Sequence, residues 1–290
     1  MSKNYLKIVC IAIGILFLLS IATPVIASIG REKDGDGFKG VYDKGKPDKP
    51  PGKPDKPDKP GDEGDPEDPS VDKWAVVIGI ADYKGKINDL LYTDDDARDM
   101  KSYLISKGYP EGNIKLLLNK KATGQAIYDA IEWMAGWEGP DSECVFFYSG
   151  HGSTYDGYND GDTEYTDETI ICWELKHILD GFLRDAFSSF ESQKIAFIFD
   201  SCYSGGMDDL AGSGRVVVAA CDEAELSWDG ADWMKNGVFT YYYMDGLNTY
   251  NTVEDSYTYA TPLAHNFVLT EYNYNMNPQI YDQYAGLWTF

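Results

Sequence analysis

A histidine and a cysteine, each in a glycine-rich run directly after an apolar stretch, are the residues of this chain best suited to do chemistry. The first run is Tyr148-Ser149-Gly150-His151-Gly152, after Cys144-Val145-Phe146-Phe147. The second is Asp200-Ser201-Cys202-Tyr203-Ser204-Gly205-Gly206, after Ile195-Ala196-Phe197-Ile198-Phe199. An imidazole beside a thiol can shuttle the proton while the thiolate attacks a carbonyl carbon. Glycine at 152 lets a backbone N–H approach a substrate oxygen. With the N–H of Cys202 it makes a candidate oxyanion hole, so residues 152 and 202 are expected to share that role. The chemistry this predicts is nucleophilic attack by the Cys202 thiolate, with His151 moving the proton.

Both runs need a rigid element beneath them, and the surrounding pattern supplies one. Lys73–Ile80, Ile114–Leu118, Cys144–Tyr148, Ile195–Phe199 and Val216–Ala220 are short runs of strand-forming residues. Between them lie helical periodicities. One helix opens at Thr93, read as its cap, with Asp94, Asp95 and Asp96 at the positive end, and continues through Ala97, Met100 and Leu104. A second starts at Thr123 and runs to Met134. A third is expected over Trp173–Phe190, with Leu175, Ile178, Leu179, Phe182 and Leu183 on one face, and later ones over Phe239–Leu247 and Leu263–Tyr272. Strand–helix alternation with continuous apolar strands predicts an α/β fold, a three-layer α/β/α sandwich with a mostly parallel central sheet. In such sheets the chemistry sits beyond the carboxyl ends of the strands, where both runs fall.

Charge and composition divide the chain. Its 290 residues hold 25 Lys and Arg against 48 Asp and Glu, a net charge of −23, and 36 of those acids lie in residues 71–290 beside only 14 basic residues. The acidity therefore belongs to the folded part, and a nucleic-acid partner, which needs a basic face, is excluded. Residues 1–27 resemble an export signal, with Lys3 and Lys7 before the uncharged Ile8–Ala22 and a cut expected after Ala27. The same stretch is about long enough to serve uncleaved as an anchor, the one way a membrane enters. The protein is therefore expected to be secreted, or tethered to the outer face of the cell membrane. Residues 28–70 form a linker, with eight of the 13 prolines between Pro47 and Pro69. Residues 71–290 then make one catalytic domain. Cys144, Cys172 and Cys221 adjoin apolar runs and suit buried thiols, although one bridge among the cysteines stays open. His177 and His265 lie in helical contexts and suit structural or surface roles.

Taken together, SGHG and DSCYSGG, 51 residues apart from His151 to Cys202, resemble the caspase and metacaspase peptidases. The resemblance extends over about 74–282 through WAVVIGIADY, TDDDARDM, GRVVVAAC and Asn277-Pro278-Gln279. It implies a cysteine endopeptidase working through a thioester, with Cys202 as nucleophile and His151 as general base or acid. Other cysteine hydrolases of related fold, clostripain- or legumain-like, and a catalytically silent binding protein are the alternatives. The DSC run is of the metacaspase kind, which implies that Asp200 helps bind Lys or Arg, and that peptides and proteins with basic residues are the substrates. A second pocket acid is expected at Asp222 or Glu223. The segment Tyr203–Gly214 contains no Lys or Arg, so a single-chain enzyme is expected.

No cofactor is needed for this chemistry, but calcium has a candidate site. Against the EF-hand template, Asp156, Asp160, Glu164 and Asp167 fall at positions 1, 5, 9 and 12, with Gly161 at 6. Tyr158 breaks position 3, so the loop is not an EF-hand. The candidate ligands are Asp156, Asp160, Asp162 and Asp167, and a solvated acidic loop is the competing reading.

The linker yields a test. Lys46, Lys49, Lys53, Lys56 and Lys59 each precede a proline, which blocks peptidases that cut after lysine, whereas Lys39, Lys44 and Lys73 do not. N-terminal sequencing of the purified protein is expected to find new ends after those three only. Ends within residues 46–60 would count against self-trimming by a basic-specific enzyme.

Overall fold

A computed structural model describes residues 70–158 and 165–290. In chain order the elements are β1 (Lys73–Gly79), α1 (Thr93–Ser106), β2 (Ile114–Leu118), α2 (Gly124–Trp137), β3 (Glu143–Ser149), β4 (Gly152–Asp156), β5 (Thr166–Ile171), β6 (His177–Leu179), α3 (Asp180–Ala186), β7 (Ile195–Asp200), β8 (Arg215–Ala219), α4 (Val238–Tyr250), α5 (Val253–Tyr272) and β9 (Gln279–Asp282). The five predicted strands pair in one sheet of order β2-β1-β3-β7-β8-β9, parallel except for β9. Side chains of a strand alternate between faces, and here both faces are apolar. Ala75 and Val77 pack with residues of α1, α4 and α5, while Trp74, Val76 and Ile78 pack with residues of α2 and α3. The result is the expected three-layer sandwich.

Local signals worked where they were strong. Thr123 caps α2, its Oγ1 accepting the Ala126 N–H at 3.1 Å. The apolar residues of α1 fall on one stripe and meet the sheet. Thr93, however, is the first residue of α1 and not its side-chain cap. The predicted third helix is wrong over its first half. Leu175 takes a left-handed φ of 66°, the chain turns, and His177–Leu179 joins β5 as a strand. Only Asp180–Ala186 is helical. An apolar run long enough for either structure was resolved by the edge of β5, which offers ladder hydrogen bonds. The strands β4, β5 and β6 form a second, antiparallel sheet of three that the sequence reading missed.

The expected signal 1–27 and all of the linker but Ser70 lie outside the described residues, as do Lys39 and Lys44. Among the described residues no helix is long and apolar enough to cross a membrane. Lys73 corrects part of the trimming expectation. It opens β1, pairs opposite Glu143 in the sheet, and its Nζ lies 3.0 Å from Glu143 Oε1. A cut there needs the edge of β1 to be pulled from the sheet first.

Gly79 fixes the distance between β1 and α1. A Cβ at this position would overlap the Thr93 carbonyl oxygen and lie 2.6 Å from Ala97 Cβ. Gly79→Ala is therefore expected to destabilise the protein by about 1–3 kcal/mol, as overpacking does, measured by urea unfolding. An unchanged midpoint would show that α1 can retreat freely.

Candidate active site

The pairing of β3 with β7 sets Ser149 opposite Asp200. Each candidate catalytic residue stands two positions further along its own chain. His151 and Cys202 consequently emerge side by side at the carboxyl edge of the sheet, each only 7% exposed, and line one pocket that opens to solvent. The imidazole Nε2 lies 2.8 Å from Asn88 O, and the Tyr83 ring lies over the imidazole at 4.7 Å. With Nε2 donating to that carbonyl, Nδ1 is left as the proton acceptor. Cys202 Sγ sits 3.7 Å from Ser227 O. Gly152 lies against the Cys202 backbone so closely that a Cβ would overlap its carbonyl oxygen. The backbones of residues 152 and 202 are thus adjacent.

Asp200 also lines the pocket, but its expected partners do not. Asp222 and Glu223 follow β8 on a turn in which Asp222 Oδ1 accepts the Ala224 N–H, and Glu223 is exposed. Neither is among the pocket-lining residues. The neighbouring acids are Asp96 and Asp229 instead. Asp96 is fully buried, with Oδ2 accepting from Ser149 Oγ at 2.7 Å and Oδ1 from the Gly237 N–H at 3.0 Å. Asp200 accepts from Ser227 Oγ at 2.5 Å, and from the N–H and Oγ1 of Thr240 at 2.9 and 2.7 Å. A Cβ at Gly237 would stand 2.5 Å from Asp200 Oδ2 and 3.2 Å from Asp96 Oδ2, so this glycine leaves open the space over both carboxylates. Asp229 lines the pocket and accepts the Leu91 N–H at 3.2 Å.

Asp96 had a signal that the sequence reading passed over. With Thr93, Ala97, Met100, Tyr103 and Leu104 it forms the buried stripe of α1, and an acid on an apolar stripe demands an explanation. Asp94 and Asp95 are the true helix-end acids and bind Arg98. Asp229 had no such signal, because only the fold brings its loop to the strand ends.

The calcium ligands separate. Asp156 ends β4 exposed and accepts from Thr166 Oγ1 at 2.9 Å, whereas Asp167 is 1% exposed and stands opposite Tyr155. Asp156 stands opposite Thr166, the neighbour of Asp167, so Asp156 and Asp167 project from opposite faces of the β4–β5 hairpin. Asp160 and Asp162 lie outside the described residues. Among the described residues no group of three or more His, Cys, Asp or Glu side chains is placed to hold a metal ion, and no step below runs through one. Cys144, Cys172, Cys202 and Cys221 are free thiols. His177 faces Thr169 and His265 faces Met276 O, and neither lines the pocket.

Comparison with known proteins decides the family. The model of the caspase domain, a peptidase family, matches residues 72–284. This chain belongs to that family. Similar proteins include metacaspase-1 of Candida albicans, 32% identical over 155 residues (48% of this chain, 34% of that protein). Metacaspase-6 of Arabidopsis thaliana is 35% identical over 150 residues, 48% of this chain and 40% of that one. The matches thus span less than half the length of these curated relatives. Caspase-1 of Spodoptera frugiperda has the same fold at 12% identity and a TM-score of 0.55, with 75% of this chain and 88% of that chain covered.

In this caspase domain burial and proximity shift the ionisable groups in and around the pocket. Burial raises the carboxyl pKa of Asp96, and the neighbouring Asp200 raises it further; Ser149, Asn236 and Gly237 offset part of this. Burial likewise raises Asp200, against hydrogen bonds from Ser227 and Thr240, and lifts Asp229 to about 7. The two candidate catalytic residues are shifted too. Burial lowers His151 to about 4 and raises Cys202 to about 12, so the resting pair at neutral pH is a neutral imidazole beside a neutral thiol.

A raised carboxyl pKa means stability present at low pH and lost as pH rises through the folded value. Asp229→Asn is therefore expected to raise Tm at pH 8, with the gain vanishing as the pH falls through about 7 towards 4. Calorimetric scans of both proteins across that range check this; a gain that persists at pH 4 would assign the effect to something other than the Asp229 charge.

Proposed function

We propose that this caspase domain is a cysteine endopeptidase that cuts after Arg or Lys. The observation supporting it is the acidic pocket beside the thiol. Asp200 and Asp229 line it and Asp96 is buried next to Asp200, with burial raising the pKa of all three and Asp200 raising that of Asp96 and Asp229 further. A guanidinium or ammonium entering the pocket supplies the missing charge and turns that repulsion into attraction. The acidic surface of the domain steers basic segments towards it.

The chemistry then follows from the dyad. Nδ1 of His151 takes the proton of Cys202 as the sulfur attacks the scissile carbonyl carbon. The backbone N–H groups of Gly152 and Cys202 receive the developing oxyanion. Collapse breaks the C–N bond, and the imidazolium gives its proton to the leaving amine. Water, deprotonated by His151, then hydrolyses the thioester and restores the thiol. Asn88 O holds the imidazole in the tautomer this sequence requires. A neutral resting dyad protects the thiol from oxidation until substrate excludes water. The basic and apolar N-terminus supports export, so the enzyme acts outside the cell or at its outer surface.

Fluorogenic peptides ending in Arg, Lys, Asp or Asn, with and without calcium, test this on the full chain. Arg and Lys peptides are expected to be cut, and Cys202→Ala to abolish turnover. Asp200→Asn should raise KM by tenfold or more while sparing the dyad. Because Asp229 ionises near 7, kcat/KM for a basic peptide should rise with pH through that region, and Asp229→Asn should remove that limb. Turnover of no peptide sinks the peptidase, and turnover of Asp or Asn peptides alone sinks the acidic pocket as its specificity site.

A further inference from the structure

The backbone N–H and C=O of His151 are each bound by a phenolic hydroxyl. Tyr83 Oη accepts the His151 N–H at 2.7 Å, and Tyr148 donates its hydroxyl to His151 O, also at 2.7 Å. The two hydroxyls lie 3.3 Å apart, and both residues are buried, Tyr83 at 2% and Tyr148 at 0% exposure. Their remaining partners are on one residue of the second sheet. Tyr148 Oη accepts the Ile171 N–H at 3.2 Å and lies 2.9 Å from Ile171 O, and Tyr83 Oη lies 3.3 Å from Ile171 O. Each phenol has one proton. The shorter contact of Tyr148 is to His151 O, and with its proton there that of Tyr83 is left for Ile171 O. Gly150 is shaped by the same pair: a Cβ there would stand 2.6 Å from Tyr83 Oη and 2.7 Å from Tyr148 Oη.

Tyr83 also belongs to the segment that orients the imidazole. Its ring lies over that of His151, and Asn88, five residues on, offers the carbonyl to Nε2. The segment is tied by Asp89 Oδ1 accepting the Tyr83 N–H at 3.2 Å and by the Leu90 N–H donating to Ala81 O at 2.8 Å. One loop thus grips the histidine by its backbone and by its ring. Beyond the end of β3 at Ser149 the Gly150 N–H donates to Asp200 O at 3.2 Å and the Ile171 N–H to His151 O at 3.0 Å, and the two tyrosines add to these backbone bonds.

We propose that Tyr83 and Tyr148 are positioning residues for His151: their hydroxyls hold its backbone N–H and C=O so that Nδ1 faces Cys202. They touch no substrate and exchange no proton with it. Burial raises both phenol pKa values, so the clamp stays neutral and intact across the working pH. The role rests on the dyad proposed above, and the test separates the two.

Tyr83→Phe keeps the ring over the imidazole and deletes only the hydroxyl; Tyr148→Phe does the same from the other side. Two readouts are taken on the full chain. One is alkylation of Cys202 by iodoacetamide from pH 5 to 10, followed at that peptide by mass spectrometry, which needs no peptidase activity. The other is kcat and KM on an Arg peptide. His151→Gln is the reference, expected to slow alkylation most at pH 7 and progressively less towards pH 10, as the pH nears the thiol's own value of about 12. Each Phe variant is expected to shift the pH 7 rate towards that reference and to lower kcat by roughly 10- to 100-fold with KM unchanged, the scale of an ångström of misplacement. Tyr83→Leu, which also removes the ring, should lose more. A lowered Tm with wild-type alkylation and kcat in both Phe variants would make the tyrosines merely structural and overturn the proposal. If one variant fails to fold, the other decides by the same readouts. If His151→Gln itself alkylates like wild type, the dyad fails, and the clamp with it. If no peptide is cut but the alkylation profiles shift as stated, the clamp stands and the peptidase reading fails.

Discussion

The parallel pairing of β3 with β7, in the register that sets Ser149 opposite Asp200, governs the arrangement of everything around it. Parallel strands in register end at the same edge, so residues at equal distances beyond the pair emerge together. His151 and Cys202 are such residues. The paired residues themselves then contribute to the pocket floor: Ser149 donates to Asp96, and Asp200 lies beside it. Shifting β7 by one residue would turn Asp200 and Cys202 to the opposite faces and dissolve both dyad and pocket. That register is defended by two cores, because Phe146, Phe197 and Phe199 pack on one face while Val145, Phe147, Ala196 and Ile198 pack on the other.

Within that frame the acids and the thiol make opposing demands. Burial raises the thiol pKa and Asp200 and Asp229 raise it further, while Asp200 also raises Asp96 and Asp229, which stabilises neutral forms and works against a ready thiolate. A site built only for nucleophilicity would place cations there. Keeping acids instead makes sense if the positive charge arrives with the ligand, so that recognition and activation are one electrostatic event. The hydroxyls of Ser149, Ser227 and Thr240 keep the acids in place without neutralising them, since a neutral donor satisfies an oxygen and adds no charge.

Much of this was legible in the chain. Five apolar runs became the five strands of the parallel sheet, and the two residues best suited to chemistry came to lie in one pocket. What failed did so for identifiable reasons. Trp173–Phe190 reads as one amphipathic helix, yet the exposed edge of β5 captures His177–Leu179 and leaves a shorter helix. Asp222 and Glu223 sit near the cysteine strand in sequence, but the turn after β8 carries them away from the pocket. Asp156 and Asp167 fit a spacing template written for a loop, whereas antiparallel pairing points them apart.

By itself, then, the sequence determined the alternation of strand and helix, the two strand-end motifs and the acidic character of the domain, because each is a local property of residue type and period. The family resemblance rested on the same local runs. Which acids face the thiol was decided only by the tertiary structure. Asp96 and Asp229 lie 106 and 27 residues from Cys202 along the chain, and only packing α1 on the sheet and folding the loop ahead of α4 over its edge bring them there. The same holds for Tyr83 and Asn88, whose hold on His151 depends on β1 and β3 being neighbours. Convergence of distant side chains is a property of the sheet order, and no single stretch of sequence contains it.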